Sequence, residues 1–103
     1  MRRGEIWWAD FPAPMGRRPA ILLSRDEAYE VRASVTVVPL TRRVRRIPVE
    51  VRLEPRDGVP RTCVANVDNI TYVAKALLIS RVGPLARDKL RAVEDAIRFA
   101  LAL

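Results

Sequence analysis

Short apolar runs separated by turn residues constrain this chain to a fold built mostly from strands. An Arg-Pro pair opens one run, Ala20–Ser24, and a second run, Val35–Leu40, ends at Thr41. Runs of this length that are rich in aliphatic and β-branched side chains are typical of strands. A chain of 103 residues can bury one modest core. We therefore predict a single domain over residues 1–103.

Six strands and one terminal helix are predicted along the chain. Near the end, apolar residues fall at helical spacing and form one stripe, made of Leu90, Val93, Ile97 and Leu101. Together these elements predict a mainly β fold with α, a small barrel or bent sheet of short, mostly antiparallel strands with a C-terminal helix. The predicted strands span Glu5–Phe11, Arg18–Ser24, Ser34–Leu40, Pro48–Leu53, Thr62–Val67 and Leu77–Val82.

Antiparallel pairing of the second and third strands would bring Arg18 beside Thr41, because the start of one strand then lies next to the end of the other. A guanidinium and a hydroxyl at one sheet edge suit a phosphate group. If the other strands are antiparallel neighbours too, alternate connections share one end of the sheet. We expect the Pro12–Arg17 loop, the Thr41–Arg46 loop and the Asp68–Thr71 segment to gather at that end.

The charge of the chain indicates a polyanionic partner. The formal net charge is +7 and 17 of the 19 basic residues are arginine, which binds phosphate through two parallel hydrogen bonds. Four arginines fall within the five residues Arg42–Arg46. Nucleic acid is the commonest partner of such a chain. An arginine-rich genome, a heat-adapted surface or a solvated loop would give the same pattern.

Residue types that are absent or rare exclude several kinds of site. The chain has no histidine and one cysteine, Cys63, so we expect no disulfide, no Cys/His zinc site and no histidine-activated nucleophile. Cys63 lies in a predicted strand and is expected to be a small buried side chain. No carboxylates have the spacing of metal ligands, so neither a metal nor another cofactor is predicted. The lack of a membrane-spanning or signal-peptide run predicts a cytoplasmic protein with no membrane partner.

RNA is a nucleic acid whose cleavage these residues could support without a metal. Its 2′-hydroxyl can attack the adjacent phosphate, so the protein has to align that attack and stabilise the added negative charge. Arg18 is suited to the charge and Thr41 to the alignment. Asp10, Asp68 and Asn69 are further polar candidates, and the sequence identifies no general base.

Two adjacent tryptophans, Trp7 and Trp8, belong to the first predicted strand and therefore face opposite sides of the sheet. One small core can cover only one of them. The other either stacks on bases or packs against a second subunit, and we favour the subunit contact.

Six segments follow one another in an order that is shared with a known family. They are Arg3–Phe11, Arg17–Asp26, Val35–Thr41, Val64–Thr71, Ser80–Leu85 and Ala96–Leu103. In these segments, which cover nearly the whole chain, the sequence resembles the MazF/PemK family of toxin–antitoxin ribonucleases. The most specific part is the combination of an Arg-Pro strand start with a strand that ends in Leu-Thr.

This resemblance implies an SH3-like barrel, a homodimer and metal-independent, sequence-specific cleavage of single-stranded RNA, which leaves a 2′,3′-cyclic phosphate and a 5′-hydroxyl. It also implies a cognate, MazE-like antitoxin whose C-terminal tail lies along the toxin dimer. The catalytic arginine and threonine of the family fall on Arg18 and Thr41. The loop after the first strand, Pro12–Arg17, is shorter than usual and lacks an acidic residue. The residues expected to bind RNA are Arg17, Arg42, Arg43, Arg45, Arg46, Asp68 and Asn69.

Two readings from other classes remain open at this point. A non-catalytic nucleic-acid-binding barrel would use the same basic edge without needing Arg18 and Thr41 as a pair. A gyrase-directed toxin of the CcdB type would act through a protein surface on the terminal helix. The helix of this chain ends in the apolar residues Ala100–Leu103, and the motif residues match the ribonuclease branch.

Overall fold

Seven short strands pair into one sheet, and the longer of two helices packs against one face of it. The computed structural model describes residues 1–103. Each of the six predicted strands is present, and the mainly β fold with a C-terminal helix is confirmed. The strands are β1 Glu5–Asp10, β2 Arg17–Leu22, β3 Ser34–Thr41, β4 Glu50–Leu53, β5 Cys63–Asn66, β6 Thr71–Ala74 and β7 Leu78–Pro84, and the helices are α1 Ala28–Val31 and α2 Arg87–Leu101.

The sheet is organised around β3. One edge of β3 pairs with β2, and the other edge pairs with β6 over Ser34–Val37 and then with β5 at Leu40 and Thr41. The strand order is β4-β5-β3-β2-β1-β7, and every pair is antiparallel. β4 and β7 lie at the two ends and do not pair with each other. The predicted antiparallel arrangement is therefore present, but the sheet is open and does not close into a barrel.

The strand β4 runs in the same direction as β3, because both are antiparallel to β5. The β3–β4 connection consequently leaves Thr41 and runs back to the start of β4, where Glu50 pairs with Asn66. The β4–β5 connection lies at the Thr41 end, where Leu53 pairs with Cys63 beside the pair Thr41–Val64. The expectation that Asp68–Thr71 gathers there with the other two loops is wrong. The strand next to β3 is β5 and not β4, so β5 is antiparallel to β3 and ends away from Thr41.

Two apolar clusters cover the two faces of the sheet. The first lies between the sheet and α2 and includes Val93 and Ala96 of the helix. The second lies on the opposite face and includes Phe11. Side chains along β1 alternate between them, with Ile6 in the first cluster and Ala9 in the second.

The apolar stripe predicted for the terminal helix is only partly correct. Val93 is buried, and Leu90 and Ile97 pack against the first cluster. Leu101, however, is 61% exposed, and its neighbour Ala100 packs against the cluster instead. No helix of the structure is both long enough and apolar enough to cross a membrane.

The strand β6 was not predicted from the sequence. Of its four residues only Val73 is buried, so the segment lacks the apolar run that marked the other strands. It lies between two 3₁₀ turns, Val67–Asn69 and Lys75–Leu77. Its strand conformation comes from pairing with the first half of β3, which is a long-range contact.

Candidate active site

Arg18 and Thr41 meet at one end of the sheet. The last pair between β2 and β3 at this end is Ala20 with Pro39, and Arg18 and Thr41 each lie two residues beyond it. Both residues line the same groove. The adjacency that antiparallel pairing predicts is therefore present in the structure.

The groove is basic and contains no acidic side chain. Its volume is about 570 Å³, and five of its eleven lining residues are arginine. They come from three parts of the chain: the start of β2, the residues just after β3, and the β4–β5 connection. The complete lining is Trp8, Arg17, Arg18, Pro19, Leu40, Thr41, Arg42, Arg43, Pro60, Arg61 and Cys63.

Side chains from both faces of the sheet reach this groove. Arg18 and Pro19 are consecutive residues of β2 and so face opposite sides, yet both line it. Leu40 and Cys63 belong to the first apolar cluster. The groove thus passes over the end of the sheet, with Arg18 and Thr41 on one side and apolar residues on the other.

The groove arginines have few partners within the chain. Only Arg17 has a carboxylate nearby, with Asp10 Oδ1 at 4.0 Å from its Nε, and Asp10 itself does not line the groove. Arg18 Nη2 donates to the carbonyl oxygen of Met15 at 2.9 Å. The remaining donors face solvent, so the positive potential of the groove is not neutralised by the protein.

The β1–β2 loop positions Arg18. Phe11 N–H donates to the carbonyl oxygen of Gly16 at 3.1 Å, and Met15 N–H donates to that of Pro12 at 3.1 Å. Gly16 has φ +70°, a conformation that favours glycine. The tight loop therefore presents the carbonyl group of Met15 to the Arg18 guanidinium.

Thr41 is fixed by the chain that follows it. Its Oγ1 accepts a hydrogen bond from the backbone N–H of Arg43 at 3.2 Å. The hydroxyl proton of Thr41 makes no bond within the chain and is available to donate to a ligand.

The arginine cluster Arg42–Arg46 divides into two parts. Arg42 and Arg43 line the groove, whereas Arg45 and Arg46 do not. The backbone N–H groups of Arg45 and Arg46 each donate to Glu50 Oε1 at 2.9 Å. Glu50 begins β4 at the end of that strand that lies away from the groove, because it pairs with Asn66, whereas Leu53 pairs with Cys63 of the groove lining.

Asp68 and Asn69 also lie away from the groove. They belong to the 3₁₀ turn between β5 and β6, which rests against α2. Asp68 N–H donates to the buried Asn66 Oδ1 at 3.0 Å. This local bond makes the pair part of a turn that joins two strands, and the strand order explains why it is not beside Thr41.

Among the groove residues that sequence reasoning did not assign to the site, Arg61 and Trp8 carry groups that can bind a nucleotide. Arg61 comes from the β4–β5 connection, and its place depends on β4 running parallel to β3, which no local pattern reveals. Trp8 was considered for base stacking but not placed beside Arg18. The β1–β2 register pairs Trp8 with Pro19, the residue after Arg18. A correct prediction of this register would have placed Trp8 at the groove.

Cys63 contributes a wall of the groove and no nucleophile. It is 6% exposed, and burial raises the pKa of its thiol to about 11. The side chain is therefore a neutral thiol at neutral pH. The expectation of a small buried side chain is confirmed.

Trp7, the other tryptophan, lies against the folded core and not in the groove. Trp7 packs against the second apolar cluster, and its Nε1 donates to Glu5 Oε1 at 3.1 Å. Burial raises the pKa of Glu5, but hydrogen bonds from Arg81, Trp7 and the backbone of Arg2 outweigh it, so the pKa lies below its ordinary value of 4.5. Glu5 is therefore a charged structural link between β1 and β7.

The structure contains no group of three or more His, Cys, Asp or Glu side chains arranged to hold a metal ion. The groove lining supplies guanidinium groups, one hydroxyl and one indole. These groups bind phosphates, stabilise developing negative charge and stack on bases.

Comparison with known proteins gives one family. Residues 2–101 match the model of the PemK-like, MazF-like toxins of type II toxin–antitoxin systems. The probable endoribonuclease MazF5 of Mycobacterium tuberculosis is 40% identical over 100 residues, which cover 96% of this chain and 91% of that protein. The endoribonuclease MazF9 of the same organism is 30% identical, over 100% of this chain and 98% of that protein.

Solved structures show the same fold. An endoribonuclease from a mycobacterial species, in complex with its cognate antitoxin, superposes with a TM-score of 0.89 at 28% identity, over 100% of this chain and 96% of that one. The Mycobacterium tuberculosis toxin MazF-mt6 superposes with a TM-score of 0.86 at 27% identity, over 96% and 97% of the two chains.

Proposed function

Because the chain belongs to the family of PemK-like, MazF-like toxins of type II toxin–antitoxin systems, we propose that it is an endoribonuclease that cuts single-stranded RNA in the arginine groove. The observation that carries this proposal is that Arg18 and Thr41 line one groove, which holds five arginines and no carboxylate. Relatives that are 40% and 30% identical over almost the whole chain are named endoribonucleases, which supports the same activity here.

The proposed reaction needs no metal ion. The 2′-oxygen of the RNA attacks the adjacent phosphorus, the bond to the 5′-oxygen of the next nucleotide breaks, and the products are a 2′,3′-cyclic phosphate and a 5′-hydroxyl. The 2′-hydroxyl loses a proton, and the departing oxygen takes one up. The extra negative charge on the phosphorus oxygens develops where the Arg18 guanidinium can bind it.

Thr41 has the complementary role of positioning. Its oxygen accepts from the Arg43 backbone, so its hydroxyl proton remains free to rotate and donate to a ligand in the groove. A hydrogen bond to a non-bridging oxygen would fix the phosphate for in-line attack. Arg17, Arg42, Arg43 and Arg61 would hold neighbouring phosphates.

We further propose that a cognate antitoxin inhibits the protein by laying an acidic segment in this groove. Arginines without carboxylate partners attract any flexible polyanion, and a structural relative is an endoribonuclease in complex with its cognate antitoxin. Such a toxin acts on RNA in the cytoplasm, which is where we place this chain.

A homodimer is also proposed. Phe99 and Leu101 are large apolar residues that are more than half exposed at the end of α2, and a second copy would cover them through a two-fold interface. Sedimentation equilibrium at micromolar concentration should give twice the chain mass of 11.7 kDa. Only 11.7 kDa species at high concentration would refute the dimer.

One incubation tests the main proposal. Purified protein is mixed with single-stranded RNA of mixed sequence in EDTA, and the fragments are analysed for their ends. Fragments with a 2′,3′-cyclic phosphate and a 5′-hydroxyl support the proposal. Binding of RNA that stays intact would favour the non-catalytic nucleic-acid-binding protein. If the RNA is neither cut nor bound, the result would favour a toxin that acts on gyrase.

A further inference from the structure

Trp8 is the only aromatic side chain that lines the groove. It is half-buried on β1, with Pro19 of β2 opposite it on one side and Ser80 of β7 on the other. Pro19, Leu40 and Cys63 lie with it on the apolar side of the groove. The indole ring is therefore held against the sheet but remains accessible from the groove.

The indole N–H of Trp8 is unpaired, unlike that of Trp7. Trp7 Nε1 donates to Glu5, whereas Trp8 Nε1 makes no hydrogen bond within the chain. No buried side-chain nitrogen of the protein lacks a partner, so the N–H of Trp8 must reach solvent. Buried tryptophans usually find a partner for this group, and an open one in a binding groove is free for a ligand.

Phosphate-binding and base-binding groups thus lie on opposite sides of the sheet end. Arg18 and Thr41 are on one side, and Trp8 is on the other, two strands or about 10 Å from β3. A single strand of RNA that crosses the sheet end can place a phosphate against Arg18 while an adjoining base turns towards the apolar wall.

We infer that Trp8 is the stacking platform for one unpaired base of the RNA, next to the phosphate that is cut. The inference rests on the proposed function and adds a base subsite to it. Stacking on an aromatic ring accepts every base, so Trp8 contributes affinity and register. Its open N–H can donate to an acceptor on a nucleotide and adds a preference among bases.

A double-mutant cycle, which combines a substitution of Trp8 with the removal of single RNA bases, tests the inference. The cut site of an RNA is first mapped, and a short uncleavable version with a 2′-deoxy nucleotide at that site is synthesised with single abasic positions. At one position, loss of the base should weaken binding to the wild-type protein by roughly 5- to 100-fold. The same loss should have little effect on Trp8→Leu, which keeps an apolar side chain but cannot stack.

Trp7 provides the matched control, because it packs on the other face of the sheet. Trp7→Phe should keep the full effect of base removal. In that variant Trp8 is the only tryptophan, so its fluorescence should be quenched by the complete RNA and much less by the abasic RNA. This second measurement leaves Trp8 unchanged and does not depend on how well a Trp8 variant folds.

Equal effects of base removal in wild type and Trp8→Leu at every position, together with no difference in quenching, would overturn the stacking role. A Trp8→Leu protein that became monomeric and showed no coupling to any base would assign the indole to a subunit contact and overturn it as well. If wild-type protein cuts RNA in either case, only the stacking role fails. If it cuts no RNA, the proposed function itself fails.

Discussion

Arginines serve two different purposes in two regions of this protein. Some arginines on the body of the fold are closely paired with carboxylates: Arg3 Nη2 lies 2.7 Å from Glu94 Oε2, and Arg81 Nε lies 2.6 Å from Glu5 Oε2. In the groove, Arg18 and its neighbours have no carboxylate within 4.0 Å except for the one long contact of Arg17. The difference teaches that an arginine held by a carboxylate links parts of the fold, whereas the groove arginines keep their charge free for the ligand that we propose. An unneutralised cluster of like charges weakens the folded state, and such local costs are typical of functional sites.

The largest effect is expected from Arg18→Ala. Removal of one preorganised donor at a developing negative charge typically lowers the rate by roughly 10²- to 10³-fold. Arg52→Ala is the matched control, because Arg52 is exposed, has Glu54 Oε1 at 3.8 Å from its Nε and lies outside the groove. Single-turnover RNA cleavage should fall only in the first variant. Near-normal cleavage by a folded Arg18→Ala protein would contradict the proposed mechanism.

The opposite profile is expected for Arg3→Ala. Arg3 donates to the Leu23 carbonyl oxygen and to Glu94, so its loss leaves partly buried acceptors unsatisfied and should lower the free energy of unfolding by about 1–2 kcal/mol. Cleavage should persist in the folded fraction. Arg98→Ala, which removes an exposed pair with Asp95, should change urea denaturation by less than about 0.5 kcal/mol. Equal losses in the two variants would show that the Arg3 contacts do not stabilise the fold.

The divided cluster Arg42–Arg46 gives a comparison within one loop. Replacement of Arg42 and Arg43 by Gln should lower the slope of log binding constant against log salt by about 1.4, which is roughly 0.7 for each phosphate contact to a single strand. The same change at Arg45 and Arg46 should have less than half that effect, because these residues lie outside the groove. Equal slopes for the two double variants would show that the loop binds RNA along its whole length.

The smallest effect concerns the pH dependence of stability. The folded pKa of Glu5 is lowered, so its contribution is complete above the ordinary value of 4.5 and is lost as the pH falls through the folded pKa. Between about pH 6 and about pH 3, wild type should lose more stability than Glu5→Gln, by less than about 1 kcal/mol. Urea denaturation midpoints at the two pH values measure the effect. If the stability difference between wild type and Glu5→Gln is the same at both pH values, the charged form of Glu5 does not stabilise the fold.

The sequence was sufficient for features that depend on neighbouring strands. The runs at Ala20–Ser24 and Val35–Leu40 identified two strands, and antiparallel pairing then placed Arg18 beside Thr41. The sequence was insufficient where a strand forms only through pairing with residues that are distant along the chain. β6 has one buried residue and exists through its contact with β3.

The composition of the site shows the same limit. Arg61 enters the groove, and Arg45 and Asp68 stay outside it, because β5 lies between β3 and β4. Charge density along the chain marked Arg42–Arg46 as one unit, but it carries no information about the direction in which the connection leaves Thr41.

Cleavage of one RNA in EDTA, compared with the same RNA carrying a single 2′-deoxy nucleotide at the mapped cut site, tests the central claim most directly. We expect wild-type protein to cut the first RNA and to leave a 2′,3′-cyclic phosphate, because the groove supplies arginines and a hydroxyl while the RNA supplies the nucleophile. We expect the 2′-deoxy RNA to bind and to stay intact. Cleavage of the 2′-deoxy RNA at that site, or cleavage that requires an added divalent ion, would contradict the assignment of this groove.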